Sequence, residues 1–452
     1  MRTSVLHQLP LVPQVTGHAH MDELDEMSRI LDRHPRAAEM VLADLVAGGI
    51  DPEKGREGLS GEQVLRAAVI KQLNEYSYEQ LAFHLADSLS YRAFCRIGYN
   101  LAKLPSASTL QYNLKKVRPE TMEAIIRMLV ANAMEKGVED GHKVRTDCTV
   151  MESNIHEPSD SSLLWDCVRV LVRYLKRAQA CVAVPFTDHT RRAKRRYVGI
   201  MNAKNMADRV PLYRDLIKVT EQTVNAADRV VAALQTAYPP EALEDPELGT
   251  LYQALLHYLG LTQRVLDQTR RRVLHGESVP ASDKVVSIFE PHTDIIVKDR
   301  RETLYGHKLC LTAGASGLVL DCVIESGNPA DSTLAVDMMK RQIDIFGRPP
   351  RQAAFDGGFS SHANLVAIKA LDVQDVSFSK HRGLAITDMV KSTWVYRQLK
   401  RFRAGIESVI SFLKRCFGWD RCTWRSLESF KAYTWTSVVA ANLLVLARHA
   451  LR

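Results

Sequence analysis

The sequence predicts a mixed α/β fold with large all-α portions, and two observations support this. The periodicity is helical from residue 58 to residue 138 and changes after Gly141 to the alternation of strands, which later share the chain with further helices. A stretch without strand periodicity, residues 159–283, then separates the first predicted strand from the second. We therefore expect an α-helical N-terminal domain, followed by a sheet domain that an α-helical insertion interrupts.

The N-terminal region divides into two parts. Residues 1–57 carry four prolines around one helical stretch and are predicted to form an arm. Residues 58–138 should form a helical domain, because Ser60 and Gln63 have the spacing of a capping box and Ser106 is placed to begin a later helix. Several short helices with tight turns are typical of helix-turn-helix modules, so we predict a DNA-binding domain. A helical packing domain that touches no DNA is the alternative.

Six segments have the apolar and polar alternation of β-strands. The predicted strands are Lys143–Val150, Lys284–Phe289, Lys308–Thr312, Leu318–Glu325, Gln352–Phe355 and Val376–Ser379. A helix over Leu334–Ile345 separates the fourth from the fifth, and the chain is helical again from about Thr393. We assign the sheet domain to residues 139–158 and 284–425, and a buried C-terminal helix to residues 426–452.

Residues 159–283 are predicted to form the helical insertion. Apolar residues recur at coiled-coil spacing over Ile217–Leu234, which indicates a helical hairpin that packs, dimerises or embraces DNA. Two basic runs, Thr190–Arg196 and Arg270–Arg272, lie in the same segment. Dense positive charge can neutralise backbone phosphates, although a solvated charged face is the alternative. The DNA contacts predicted here are Arg192, Arg195 and Arg196.

The composition is that of a folded protein whose charge allows a polyanionic partner. Hydrophobic residues make up 46% of the 452 residues, and the net charge of +8 favours nucleic acid without requiring it. The eight cysteines form no CxxC pair, so we expect reduced thiols rather than disulfides or zinc. The N-terminus lacks a continuous apolar run, and Thr436–Leu451 is short and interrupted by polar residues, so we expect neither a secretory signal nor a membrane partner.

Three acidic residues stand out by their context. Asp147 lies in the middle of the first strand, where a buried carboxylate is costly unless it is paired or binds metal. Asp356 ends a strand and precedes two glycines, at the strand end where ligand sites in α/β sheets lie. Glu407 lies between Arg403 and Lys414 on the shoulder of an amphipathic helix, where an ordinary Arg403–Glu407 pair is the alternative.

Together these residues resemble the pattern of DDE transposases. Arg403-x3-Glu407-x6-Lys414 is similar to the Tyr-x2-Arg-x3-Glu-x6-Lys signature of bacterial insertion-sequence transposases. Lys400 stands where the signature has its tyrosine, and Tyr396, one turn earlier, is a candidate to replace it. Further segments are similar to the helical N-terminal domain of these transposases and to the ISNCY group of the family: Leu81–Phe94, Pro105–Leu110, Phe289–Ile295, Tyr305–Lys308 and Glu325–Asp331.

The resemblance implies an RNase H-like catalytic domain whose first strand carries Asp147 and whose fourth carries Asp356. It implies metal-dependent cleavage and strand transfer at the terminal inverted repeats of a mobile element, with double-stranded DNA as substrate and target. Two divalent ions, Mg²⁺ or Mn²⁺, would be bridged by Asp147 and held singly by Asp356 and Glu407. The residues that would hold DNA in this domain are Arg403, Lys414, Lys400, Lys308 and Lys380.

The same resemblance implies a homodimer on DNA, because two element ends must be brought together, and a cytoplasmic location in a bacterium, on the nucleoid when DNA is bound. Two alternatives stay open. One is an RNase H-like nuclease without strand transfer, and the other is a catalytically degenerate DNA-binding protein. Strand-transfer products separate the first alternative from a transposase, and metal-dependent nicking separates the second.

Overall fold

The computed structural model divides the chain into two compact units. Unit 1 contains Met1–Glu152 and His307–Arg452, and unit 2 contains Ser153–Gly306. The structure describes residues 4, 18–49, 51, 54, 58–98, 104–244, 246–298 and 302–452.

Helices and strands are numbered in chain order. The helices are α1 (Ala19–Asp32), α2 (Arg36–Val46), α3 (Gly61–Leu73), α4 (Tyr78–Asp87), α5 (Leu89–Phe94), α6 (Ala107–Leu114), α7 (Pro119–Glu135), α8 (Asp160–Ala178), α9 (Thr190–Asn202), α10 (Met206–Ala237), α11 (Leu248–Thr269), α12 (Asp331–Phe346), α13 (His362–Lys369), α14 (Ile386–Met389), α15 (Thr393–Cys416) and α16 (Leu427–Ala450). The strands are β1 (Lys143–Glu152), β2 (Asp294–Lys298), β3 (Glu302–Ala313), β4 (Val319–Ile324), β5 (Gln352–Phe355) and β6 (Asp375–Phe378).

The N-terminal half of unit 1 is helical, as predicted. Ser60 and Gln63 form the expected capping box at the start of α3, and the Ser106 hydroxyl accepts from the backbone at the start of α6. The interpretation of residues 1–57 as an arm needs correction over its described helices, since the apolar faces of α1 and α2 are buried in the same core as α3. Of the four prolines in the predicted arm, Pro35 directly precedes α2, and Pro10, Pro13 and Pro52 lie outside the described residues.

The sheet of unit 1 has the RNase H-like strand order. Its strands run β4-β3-β1-β5-β6, with the segment of β3 from His307 onward belonging to this unit. β1 pairs in parallel with β5, and β5 pairs in parallel with β6. In chain order β5 is the fourth strand of this set, and Asp356 follows it directly, so the predicted fold class is confirmed.

One predicted strand is wrong. Lys284–Phe289 has no strand structure, and the strand in this region is β2, which forms an antiparallel hairpin with Glu302–Gly306 of β3. Residues 285–288 are all buried, and Val285 and Ile288 belong to the core of unit 2, so the apolar residues of this segment pack in a helical core rather than in a sheet. The Gln268 side chain of α11 donates to the carbonyl of Val285 and accepts from its N–H, so a side chain satisfies the backbone that a neighbouring strand would otherwise pair.

Unit 2 is built mainly from α8, α9, α10 and α11. No strand occurs in 159–244 or 246–283, the described parts of the predicted insertion, so its helical character is confirmed. Its core is formed by apolar residues from these helices, including Leu164, Leu171, Leu216 and Leu255. The exact limits of the functional domains stay a prediction.

The C-terminal helix α16 is a core helix of unit 1. By length and composition it could cross a membrane, but 89% of its most apolar window is buried inside the protein. Asn442, one of the polar residues that interrupt its sequence, is buried and hydrogen-bonds both backbone groups of Val319 on β4. The interruption therefore ties α16 to the sheet.

Lys71 on α3 is a buried ammonium group that should cost stability at neutral pH. It is 4% exposed and lies over the rings of Tyr78 and Trp424, and burial lowers its pKa to about 8. Because the unfolded chain has a pKa of about 10.4 at this group, the cost is complete below pH 8 and fades as the pH rises toward 10.4.

We expect Lys71→Met to raise the free energy of unfolding by about 2 kcal/mol at pH 7 and by much less at pH 10, after allowance for the lost cation–π contacts. Urea unfolding of both proteins at the two pH values measures this. A gain that does not shrink at pH 10 would show that the charge of Lys71 is not its cause.

Candidate active site

Asp147, Asp356 and Glu407, far apart in sequence, are brought together by three elements of unit 1. The parallel register of β1 and β5 places Thr146 opposite Phe355, so the residues that follow them, Asp147 and Asp356, emerge side by side. Glu407 comes from α15. The guanidinium of Arg403 contacts all three carboxylates, at 3.2 Å from Asp147, 2.9 Å from Asp356 and 2.8 Å from Glu407.

Asp147 is the most enclosed of the three. Its side chain is 15% exposed, compared with 36% for Asp356 and 64% for Glu407. Burial raises the pKa of Asp147 to about 6, opposed by the N–H of Cys148 and the charge of Arg403. The position of Asp147 inside the sheet therefore destabilises its charged form. Such perturbed carboxylates are typical of functional sites.

The pKa of Asp356 is shifted in the opposite direction to that of Asp147. Burial alone would raise its pKa, but the N–H of Gly357, the hydroxyl of Ser379 and the charge of Arg403 outweigh that effect and lower it. Ser379 donates to its Oδ1 at 2.9 Å. Asp356 is thus held as a carboxylate beside a neighbour, Asp147, that burial drives toward protonation.

The approach of α15 to β1 depends on Gly405. A Cβ at this position would lie 2.0 Å from Nη1 of Arg145, which donates to the carbonyl of Phe402 at 3.0 Å. The Arg145 guanidinium also stacks on the Phe402 ring. Because Arg145 and Asp147 lie two residues apart on β1, this contact fixes the helix that carries Arg403 against the strand that carries Asp147.

We expect Gly405→Ala to lower the free energy of unfolding by about 1–3 kcal/mol, because the added methyl group displaces Arg145 from Phe402. Gly260→Ala on α11 is the matched control, since nothing lies within 4 Å of its added Cβ. The control should gain about 0.5–1 kcal/mol. Urea unfolding measures both, and equal behaviour of the two variants would contradict the proposed contact.

The donor set of the site suits a hard divalent cation. Its three side chains offer carboxylate oxygens, the ligands that Mg²⁺ and Mn²⁺ prefer, and all three reach one shared cationic group. Among the described residues, no group of three or more His, Cys, Asp or Glu side chains is arranged to hold a metal ion. The three carboxylates are arranged instead around Arg403.

The other predicted DNA-binding residues of unit 1 differ in their surroundings. Lys400 and Lys380 are exposed. Lys414 pairs with Asp420 at 3.2 Å, and Lys308 pairs with Asp331 and donates to the carbonyl of Pro329. Lys308 is therefore engaged within the protein.

Tyr396 does not fit as a replacement for the tyrosine of the signature. Its side chain is buried, and its hydroxyl donates to the carbonyl of Phe378 at 2.9 Å. A ring in that position is not accessible to DNA at the surface. Lys400, which stands where the signature has its tyrosine, is exposed.

A fourth carboxylate near the site, that of Asp331, was not among the residues predicted from the sequence. Its charge contributes to the raised pKa of Asp147, and a Cβ at Gly358, two residues after Asp356, would lie 2.3 Å from its Oδ2. The segment Glu325–Asp331 was recognised by resemblance alone, and its position at the start of α12 gave no sign that it returns to the site.

In unit 2, the basic run on α9 splits into two groups. Arg192 and Arg196 both pair with Asp215 of α10, whereas Arg191, Lys194 and Arg195 are exposed. A second basic stripe lies on α8, where three exposed arginines recur every four residues, a helical spacing that the sequence already carried. These arginines are Arg169, Arg173 and Arg177, and Arg169 pairs with Asp166 at 2.6 Å.

Comparison with known proteins gives the family. Residues 290–443 match the model of the transposase DDE domain, and residues 13–116 match the model of the transposase domain DUF772. The chain belongs to the insertion-sequence DDE transposases. The first match contains Asp356 and Glu407 of this transposase, while Asp147 lies before it.

The transposase also resembles a protein of Rhizobium meliloti named "Uncharacterized protein ORF8 in nfe locus". The two are 24% identical over 181 residues, which cover 37% of this chain and 86% of the relative. No solved structure matches the chain.

Proposed function

We propose that this transposase binds the terminal inverted repeats of its mobile element, cuts the DNA at the element's ends and joins the freed 3′ ends to target DNA. The observation that carries the proposal is the meeting of Asp147, Asp356 and Glu407 at one point of an RNase H-like sheet. Cleavage and joining are both displacements at phosphorus, so one site can perform the two steps in sequence.

In this proposal the three carboxylates hold two divalent ions, Mg²⁺ or Mn²⁺. When bound, the ions supply Lewis-acid stabilisation of the oxygens that attack and leave phosphorus. Asp147 would bridge the ions because it lies at the centre, on the strand between β3 and β5. Asp356, whose hydrogen bonds lower its pKa, would hold one ion as a permanent carboxylate, and Glu407 would hold the other from its exposed position on α15.

The rest of the chain would position DNA. Lys400 and Lys380 are exposed in unit 1, and Lys414 and Arg403 lie on α15 beside Glu407, where each can turn toward a phosphate. The helices of residues 58–138 would read the terminal repeats. In unit 2 the exposed residues of α9, together with the arginine stripe of α8, would follow the backbone.

Electrostatics support the assignment of unit 2 to DNA. Residues 160–204, which contain α8 and α9, have ten lysines and arginines and three aspartates. Their net charge of +7 compares with +8 for the whole chain, so the positive charge of this protein is dense on this pair of helices and their flanks. We infer a bacterial cytoplasmic enzyme that acts on the nucleoid as a homodimer, because two ends of one element must be processed together.

The test uses the purified full-length protein and a duplex containing the DNA that flanks its own gene. With Mg²⁺, we expect nicks at the element ends and, when a plasmid is added, joined products that contain end and plasmid sequence. EDTA should abolish both. Nicks without joined products would favour an RNase H-like nuclease. Tight binding without nicks, in Mg²⁺ and in Mn²⁺, would favour a degenerate DNA-binding protein.

A further inference from the structure

The guanidinium of Arg403 lies where the three proposed metal ligands meet. Nη2 contacts Oδ2 of Asp147 and Oδ1 of Asp356, and Nη1 contacts Oε1 of Glu407. The Arg403 side chain is itself only 16% exposed. Every carboxylate of the site is therefore already paired, and all three are paired with the same cation.

Those contacts are the main anchor of the side chain. The third guanidinium nitrogen, Nε, is buried and has no hydrogen-bond partner within the part of the chain that the structure describes. Arg145 also has a buried Nε without a partner, but its Nη1 donates to the backbone carbonyl of Phe402, whereas both Nη atoms of Arg403 contact carboxylates. Arg403 is aimed at the carboxylates instead.

A divalent ion and this guanidinium cannot share the site as it stands. Mg²⁺ takes oxygen ligands at about 2.0–2.1 Å, and Arg403 faces the same carboxylates that would supply those oxygens. A second cation placed a few ångströms from the guanidinium would be repelled, most strongly beside Asp147, because the side chains of Arg403 and Asp147 are only 16% and 15% exposed and solvent screens little between them. Entry of the metal therefore requires Arg403 to leave.

We propose that Arg403 is an internal counter-ion that competes with divalent metal for Asp147, Asp356 and Glu407. It offsets part of the negative charge of the three carboxylates while metal is absent, and metal loading displaces it and frees it to meet a DNA phosphate. The inference rests on the proposed function, since it takes these carboxylates as the metal ligands. Linkage makes the effect reciprocal. If bound metal raises the affinity of the site for a DNA phosphate by some factor, the bound phosphate raises the affinity for metal by that same factor.

The test compares Mn²⁺ binding to four full-length proteins in the absence of DNA, using the loss of the free-ion EPR signal: the wild type, Arg403→Gln, Arg401→Gln and Asp147→Asn. Arg403→Gln keeps much of the side-chain length and removes the charge. Arg401→Gln is the matched control, because Arg401 is exposed on the same helix and its loss changes the net charge equally.

We expect Arg403→Gln to bind Mn²⁺ about ten- to a thousandfold more tightly than the wild type, by analogy with the one to three pKa units that an adjacent charge moves a carboxylate. Its melting temperature without metal should fall, because three carboxylates lose their shared partner, and Mn²⁺ should raise it more than in the wild type. Arg401→Gln should match the wild type in all three measurements.

Two results would overturn the inference while leaving the metal site intact. In both, wild-type protein binds Mn²⁺ and Asp147→Asn does not, but Arg403→Gln binds with unchanged or weaker affinity. Weaker binding would mean that Arg403 organises the ligands rather than competing for them. If neither the wild type nor Arg403→Gln binds Mn²⁺, the proposed metal site itself fails.

Discussion

Asp147→Asn should lower metal-dependent nicking of terminal-repeat DNA by several orders of magnitude while leaving the fold and DNA binding intact. The substitution keeps the size of the side chain and removes the charge proposed to bridge both ions. It should not unfold the protein. Burial already raises the pKa of Asp147 to about 6, so a neutral side chain is the form that this environment tolerates more easily.

The measurement is a nicking assay on an end-labelled duplex in Mg²⁺, with a thermal unfolding scan and a gel shift on the same samples. Asp344→Asn provides the control, because Asp344 is exposed on α12 and its change alters the net charge equally. We expect the control to nick at the wild-type rate. Nicking by Asp147→Asn at that same rate would remove Asp147 from the catalytic machinery and with it the chemical basis of the proposed function.

The position of Asp147 within a buried strand could be predicted, because the alternation of apolar and polar residues indicates which residues of a strand are buried. A carboxylate in the middle of an apolar strand is costly, and few sequence contexts explain it without a functional partner. Asp356 was also predictable, since a strand end followed by glycines exposes a side chain at the edge where sites form. The family resemblance then supplied the fold that brings the two strands together.

Partnerships across the fold could not be predicted in the same way. On the helix alone, Arg403 and Glu407 formed an ordinary pair four residues apart, and no sequence pattern indicated that Arg403 also reaches Asp147 and Asp356. The misassigned strand at Lys284–Phe289 has a similar cause. Its apolar residues are buried in the core of unit 2, and the Gln268 side chain that bonds the backbone of Val285 in place of a strand is too distant in sequence to affect the local pattern.

Charge runs are equally ambiguous in sequence, because they do not reveal which cations are already paired. On α9 the five basic residues look equivalent, yet Asp215 of α10 binds two of them, Arg192 and Arg196. Hydrogen bonds from Arg192 are the largest cause of the lowered pKa of Asp215. The other three basic residues of the run face solvent and are the ones able to release counterions from DNA.

This division predicts that two sets of substitutions on one helix differ in their effect on DNA binding. The triple variant Arg191→Gln, Lys194→Gln and Arg195→Gln should bind terminal-repeat DNA more weakly. If each residue meets one phosphate, the slope of log affinity against log salt should become shallower by about 2.7. The double variant Arg192→Gln and Arg196→Gln removes cations that Asp215 already neutralises, so its slope should change much less.

Fluorescence anisotropy with a labelled repeat duplex, over a series of KCl concentrations, measures all three slopes. Neither variant should melt at a much lower temperature than the wild type, because the pairs with Asp215 are partly exposed and such pairs contribute little to stability. Identical slopes for the wild type and the triple variant would place α9 away from DNA. A larger change in the double variant than in the triple would mean that DNA draws Arg192 and Arg196 away from Asp215, so that pairing within the free protein does not decide which cations meet the phosphates.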